Sequence, residues 1–303
     1  MNVLFLSLLD FTSIAEHNIY TDLLREFVKH GHNVYAVSPV ERRRNLETYM
    51  VSEKNVCILK LRIGNIQKTN AIEKGLTTLM IEWKYIEGVK QYFKGIKFDL
   101  ILYPTPPITL SGVVKYIKKR DKAVTYLMLK DIFPQNAVDI QMLSKTGIKG
   151  GLYRYFRKKE KMLYALSDHI GGMSQANVDY VLRHNPEIDT SRVEICPNSI
   201  EVQELQIGDG ERDEIRRKYQ IPLNKTVFVY GGNLGKPQGI PFLIDCLKTQ
   251  LDNPNVFFLI VGSGTEFGKL KAFFDEYMPA NMRLMQNLPR EDFDHMIAVC
   301  DVG

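Results

Sequence analysis

Residues Thr226 to Ile240 read TVFVYGGNLGKPQGI, and the rest of the chain is best read outward from them. The β-branched and aromatic run Thr226 to Tyr230 has the composition of a buried strand. It breaks into Gly231-Gly232, and after Asn233, Leu234, Gly235 and Lys236 a proline and Gly239 open a helix predicted over Ile240 to Leu251. Strand, glycine-rich turn and helix N-terminus in succession expose several backbone N–H groups and the positive end of a helix dipole at one place. A diphosphate requires that arrangement. The second half of the chain is therefore expected to hold a phosphate-bearing donor.

A second turn of the same kind, Val261-Gly262-Ser263-Gly264, follows the predicted strand Val256 to Val261. Glycine-rich turns at the carboxyl ends of successive strands lie where open α/β sheets bind ligands. Gly232, Asn233, Leu234, Lys236, Gln238, Gly262 and Gly264 are thus the candidate donor- or phosphate-binding residues. The segment is not a Walker loop: the spacing from Gly231 to Gly235-Lys236 is one residue short, and Pro237 stands where a magnesium-binding Ser or Thr belongs. A plain βα turn is the competing reading.

Upstream, strand and helix patterns alternate from the first residue. Short apolar strands read at Val3 to Leu8, Val34 to Val37, Val56 to Leu61, Leu100 to Tyr103, Ala123 to Leu129, Ile170 to Met173 and Val193 to Cys196. Amphipathic helices separate them, notably Ile19 to His30, Thr77 to Phe93, Leu110 to Lys119, Leu152 to Leu166 and Gln175 to Arg183. Repeated βα units with near-continuous apolar strands predict an α/β fold with a parallel sheet covered on both faces. The texture then turns polar, so residues 1–198 read as one domain, 199–213 as a linker and 214–303 as a second, partial domain. The last four residues, Cys300 to Gly303, read as the opening of another strand, and the chain as a piece of something longer.

Composition narrows the class. With 303 residues, 45% hydrophobic and 25% charged, the chain has material for two cores. It has no run of about 18 apolar residues and its first residues lack the marks of a signal peptide. Four scattered cysteines in apolar contexts fit a reducing cytoplasm and neither a disulfide framework nor a metal site. The net charge of +5 concentrates between Lys115 and Lys161, with Tyr153, Tyr155 and Phe156 among the bases. Solvated helix faces are one reading of that stretch, and a patch on an anionic membrane surface the other. No recognition motif accompanies the charge, so nucleic acid is not an expected partner.

Two further sites fall at predicted strand ends. Lys130 and Asp131 follow Ala123 to Leu129 and precede a proline-directed loop, which places them at the sheet edge where chemistry is done. An exposed salt pair or cap is the competing reading. The loop Asp10 to Asn18 carries Glu16 and His17 at a helix start, to line an acceptor pocket or to cap the helix. It lacks G-x-G-x-x-G, which disfavours a nicotinamide or flavin cofactor. Asp292-Phe293-Asp294 has a metal-binding spacing, but acidic residues at a helix start are explained by the dipole.

Phe228 to Leu243, Val261 to Gly264 and Asn287-Leu288-Pro289-Arg290 resemble the donor domain of glycosyltransferase family 4, which has the two-domain GT-B fold. Ser167-Asp168-His169-Ile170 through Ser174, and Ile195-Cys196-Pro197-Asn198, resemble the end of that family's first domain. Lys130 to Gln135, with Ile19 to Leu24, is most similar to the bacterial branch that builds surface polysaccharides and includes N-acetyl-L-fucosamine transferases.

The resemblance implies two Rossmann-like domains facing a cleft, the second incomplete here. It implies retaining transfer of a sugar, an N-acetylated amino or deoxy-amino sugar in that branch, from a UDP-sugar to a lipid-linked or growing saccharide acceptor. Capsule, O-antigen or exopolysaccharide synthesis at the inner face of the plasma membrane is the implied setting, with no metal required. Asp131 and Lys130 are carried over as catalytic residues of the cleft, and Glu16 and His17 as acceptor-side residues. Several positions depart from the family pattern. Asn233 and Gln238 stand where many members have Arg and Lys, with Lys236 as a shifted cation, and Lys130-Asp131 stands for His-Asp. The family's Glu-x7-Glu motif belongs beyond Gly303, so this stretch alone is expected to show little activity. A UDP-sugar 2-epimerase of the same architecture and a non-catalytic nucleotide-sugar-binding module are the alternatives.

Overall fold

The computed structural model describes residues 1–303 except 67, 68, 70, 203, 204 and 206. The chain folds as two compact units, Met1–Glu201 and Val202–Gly303. Part of the predicted linker, at 203, 204 and 206, lies outside the described residues, and its last residues belong to a helix that starts at Asp209.

In chain order the first unit runs β1 (Asn2–Leu6), α1 (Ile19–Lys29), β2 (Asn33–Glu41), β3 (Tyr49–Glu53), β4 (Val56–Ile63), α2 (Ala71–Tyr92) and β5 (Leu100–Thr105). It continues with α3 (Ser111–Asp121), β6 (Val124–Leu129), α4 (Gln135–Asp139), α5 (Gly147–Leu166), β7 (His169–Gly172), α6 (Gln175–His184) and β8 (Val193–Ile195). The eight strands form one sheet in the order β3-β4-β2-β1-β5-β6-β7-β8. Every pairing is parallel except β3 with β4. The alternation of side chains along the strands feeds two cores, one on each face. Leu4, Leu6, Leu59 and Leu61 join Tyr85 and Phe93 of α2 on one side; Val3, Phe5, Val34 and Ile58 join Leu24 of α1 on the other. The doubly covered parallel sheet expected from the sequence is present.

Two local features differ from expectation. β3 was not foreseen, because YMVSE is half polar. It forms as the first arm of a hairpin with β4, with Asn55 taking the left-handed turn conformation at φ 60°. β2 runs four residues past Val37, through Ser38 to Glu41, each paired with β4.

The second unit comprises α7 (Asp209–Lys218), β9 (Thr226–Asn233), α8 (Ile240–Lys248), β10 (Val256–Ser263), α9 (Phe267–Tyr277), β11 (Met282–Met285) and α10 (Arg290–Ala298). Its sheet, β11-β10-β9, is fully parallel. Val302 bridges Phe228 on the far side of β9, so the strand opening predicted at the last residues is there. Arg216 of α7 is 1% exposed and ties this edge together. It donates to the Val299 carbonyl at 2.9 Å, to Pro222 at 3.1 Å and to Asp301 Oδ2 at 2.9 Å.

Candidate functional site

In the second unit the sequence places the strand-to-turn transition too early. β9 does not break at Gly231-Gly232; Gly231, Gly232 and Asn233 pair with Val261, Gly262 and Ser263. The glycines are required because the two strand ends approach backbone to backbone. A Cβ on Gly262 would lie 2.1 Å from the Gly232 carbonyl, and one on Gly264 would lie 2.4 Å from the Leu234 backbone. Gly232 itself has φ +127°, with open space where a side chain would stand.

Leu234 is a correction to the candidate set. Its side chain is buried in the core with Ile240 and Leu270, and its N–H is given to the Ser263 carbonyl at 2.8 Å. It anchors the turn and offers a ligand nothing. Asn233, Lys236 and Gln238 are exposed around it, in a tight turn that Gly239 closes at φ +62° before α8 begins. Ser263, whose hydroxyl accepts from Asn287 Nδ2 at 2.9 Å, completes an exposed polar crescent at the carboxyl ends of β9, β10 and β11. Lys236 has no ion pair among the described residues. At the start of α9 stands Glu266, paired with Lys269. Asp292 and Asp294 hold Lys218 and Arg290 and do not converge on a metal position.

In the first unit the candidates lie on loops at the carboxyl edge of the sheet. Thr105 at the end of β5 organises one of them. Its hydroxyl accepts from the Lys130 N–H at 3.1 Å and donates to the Asp131 carbonyl at 3.1 Å. The Asp131 side chain is exposed, yet the atoms crowding it remove enough water to raise its pKa above the usual carboxylate range. Burial lowers the Lys130 ammonium. The Asp131 charge also acts on Tyr20 in the first turn of α1, whose hydroxyl is raised chiefly by burial. The influence of Asp131 on Tyr20 is one the sequence did not indicate.

Glu16 and His17 are held for a different reason. The Glu16 carboxylate closes its own loop, accepting from the Thr12 N–H at 2.7 Å and the Ser13 N–H at 3.2 Å. The rest is organised by Arg25. Its guanidinium donates to the carbonyls of Ile14 and Glu16, lies 3.0 Å from His17 Nδ1, and pairs with Asp22 at 2.5 Å and Glu201 at 2.8 Å. Burial opposes ionisation of Asp22, but the Glu201 N–H and the Arg25 charge outweigh it and hold the carboxyl below its ordinary range. From the opposite side Lys60, fully buried, donates to Asp10 at 2.5 Å, to the Phe11 carbonyl at 2.8 Å and to Ser38 at 2.8 Å. A lysine inside the apolar strand VCILKLRI was the available signal for this anchor.

Residues 211–302 match the family described as Glycosyl transferases group 1. Two curated relatives are each 23% identical to the chain. One is the putative colanic acid biosynthesis glycosyl transferase WcaI of Escherichia coli K12, over 68% of this chain and 49% of its own length. The other is the probable glycosyltransferase WbjE of Pseudomonas aeruginosa, over 78% and 57%. The chain spans about half the length of these relatives. Among solved structures, Anabaena HepE in complex with UDP-glucose superposes with a TM-score of 0.64 at 14% identity, over 99% of this chain and 72% of that one. The fold is of the GT-B class.

Proposed function

We propose that this chain supplies the acceptor unit and donor-unit residues of a retaining glycosyltransferase of bacterial surface-polysaccharide synthesis. The observation that carries the reading is the exposed crescent of Asn233, Lys236, Gln238 and Ser263, set on a domain that matches the group 1 transferases. The names of WcaI and WbjE support the transferase class over the epimerase and binding-module alternatives. The HepE complex supports a UDP-sugar as donor. An N-acetylated amino or deoxy-amino sugar moving to a lipid-linked or growing saccharide acceptor is the finer form of this proposal.

The chemistry asked of the crescent is to stabilise a leaving diphosphate. An acceptor hydroxyl oxygen bonds to the anomeric carbon as the bond from that carbon to the UDP phosphate breaks. The hydroxyl proton passes to the departing phosphate oxygen, so no separate general base is needed. Lys236 and the N–H groups near the start of α8 lower the energy of the charge that develops. Asp131 and Lys130, with Glu16 and His17, are proposed on the acceptor side.

The test incubates the full-length protein with a panel of radiolabelled UDP-sugars and a lipid extract from the source cells. Transfer of label to lipid or saccharide is the expected result. Interconversion of free UDP-sugars without acceptor would install the epimerase reading, and binding without turnover the module reading. The proposed setting is the cytoplasmic face of an anionic membrane, on which the protein rests peripherally. Among the described residues no helix is long and apolar enough to cross one.

A further inference from the structure

A concavity of the first unit, with a volume of about 1020 Å³, is lined by none of the candidate residues named so far. One wall is a single stripe of α2, Thr77, Met80, Lys84, Glu87 and Gln91, ending at Tyr92. The other is the edge of the sheet, from Glu47 and Thr48 ahead of β3 to Leu61, Arg62 and Ile63 of β4. Gly88 forms the floor. A Cβ there would already meet Leu61 and Leu59 at 3.0 and 3.2 Å, so the helix sits close on the strand and the groove stays open beside it. From Thr77 to Tyr92 the helix wall runs about 22 Å at the usual rise per residue.

Three features indicate the occupant. The groove's six charged residues balance, with Arg42, Arg62 and Lys84 against Glu47, Glu73 and Glu87. Arg62 pairs with Glu47 and Arg42 with Glu73, so the wall offers fixed donors and acceptors without surplus charge. An anionic headgroup or nucleic acid gains little from such a surface. Trp83 on the rim is 56% exposed, and Met80 is 51% exposed. Large aromatics left in water beside polar groups make platforms for ligands with an apolar face and a polar edge. Finally, one end of the groove opens at Arg42 and Gly64, which directly follow the carboxyl ends of β2 and β4. That is the same sheet edge as the Asp10–Asn18 and Lys130–Asp131 loops.

We propose that this groove binds an extended, uncharged saccharide, the part of a growing acceptor that lies beyond the reacting sugar. The proposal rests on the transferase reading of the first unit. It accounts for the length of the groove, its charge balance and its aromatic rim with one ligand, whose sugar rings have C–H faces for Trp83 and Tyr92 and hydroxyls for the paired ions.

Trp83 is the only tryptophan of these 303 residues, and a Trp83→Phe variant of the full-length protein subtracts the emission of any other tryptophan. The full-length protein is titrated with oligosaccharides of increasing length, released by mild hydrolysis from the source cells' own surface polysaccharide. A saturable change in Trp83 emission is expected, with affinity rising with length. Arg62→Ala and Gln91→Ala, both retaining the reporter, should each weaken it at least threefold. Gln91 is exposed, so its variant cannot fail through the core. UDP binding is measured in parallel by calorimetry. An unresponsive Trp83 in a protein that binds UDP overturns the groove assignment and leaves the transferase reading standing. A protein that binds no UDP overturns the transferase reading, and with it the acceptor role given to the groove. A blue shift with phospholipid vesicles, and none with saccharide, would make the groove a lipid-facing surface and sink the proposal.

Discussion

Arg25 illustrates how much of this molecule is decided by single side chains that touch segments remote in sequence. It grips two carbonyls of the Asp10–Asn18 loop and the Glu201 carboxylate, 176 residues away. Arg25→Ala should therefore raise amide exchange in residues 12–18 and 199–201 together, and Glu201→Gln should do so more weakly at both places. Hydrogen exchange by mass spectrometry reads this; loosening of only one segment would mean the two are not joined through Arg25. The Asp22 carboxyl in the same cluster is held below its unfolded value of about 3.9. The stability it contributes is complete above that value and is lost as the pH falls through the lower folded one. Asn at this position should flatten the acid limb of the unfolding curve. Asp131 has the opposite sign. Its raised pKa means that it ionises later than a free carboxylate, so any rate that needs its charged form should rise over a higher pH range than a free carboxylate would give. Asp131→Asn should remove that limb and lower turnover by about tenfold, the loss of one charge-assisted contact that orients the acceptor.

At the scale of elements, the apolar periodicity made most strands and helices legible, while the interactions between them were not. β9 shows the limit. The sequence marks Gly231-Gly232 as a turn because glycine usually breaks a strand, but here glycine permits the strand to continue against its neighbour. That contact is long-range and leaves no local pattern. Gly262→Ala should accordingly cost about 1–3 kcal/mol by overpacking, seen as a lowered unfolding midpoint, because the Gly232 carbonyl is main chain and cannot swing away. Lys236→Ala should leave stability unchanged and weaken UDP-sugar binding by roughly tenfold, the worth of one charge-assisted contact. The basic stretch from Lys115 to Lys161 also reads differently once folded. Lys118, Arg120, Arg157, Lys159 and Lys161 are paired with Asp168, Asp121, Glu160, Glu82 and Glu187. Arg154 and Lys158 of α5 remain without an acidic partner among the described residues, beside exposed Leu152 and Tyr155. If the membrane reading is right, co-sedimentation should favour anionic over neutral vesicles, and Arg154→Glu with Lys158→Glu should abolish the difference. Equal binding to both vesicle types would count against it.

For the molecule as a whole, repeated βα units gave away the α/β class and its two units, because a parallel sheet buried on both faces writes itself into composition. The candidate sites were legible as strand ends only. Lys60, Arg25, Tyr20 and the α2 groove were out of reach, since each depends on which loops a closed sheet brings together. The second unit adds a consequence of its own at its far edge. The Arg216 guanidinium is enclosed by protein and pairs with the Asp301 carboxylate, which also caps the Val227 N–H at 2.8 Å. Breaking such an enclosed pair by removing one partner costs roughly 3 kcal/mol. Anyone expressing the second unit by itself therefore has little freedom in choosing where it stops. A boundary drawn at Cys300 would leave an enclosed guanidinium with two carbonyls and no carboxylate, and would also remove the Val302 bridge to β9, so the fragment would be expected to precipitate although every helix had been kept.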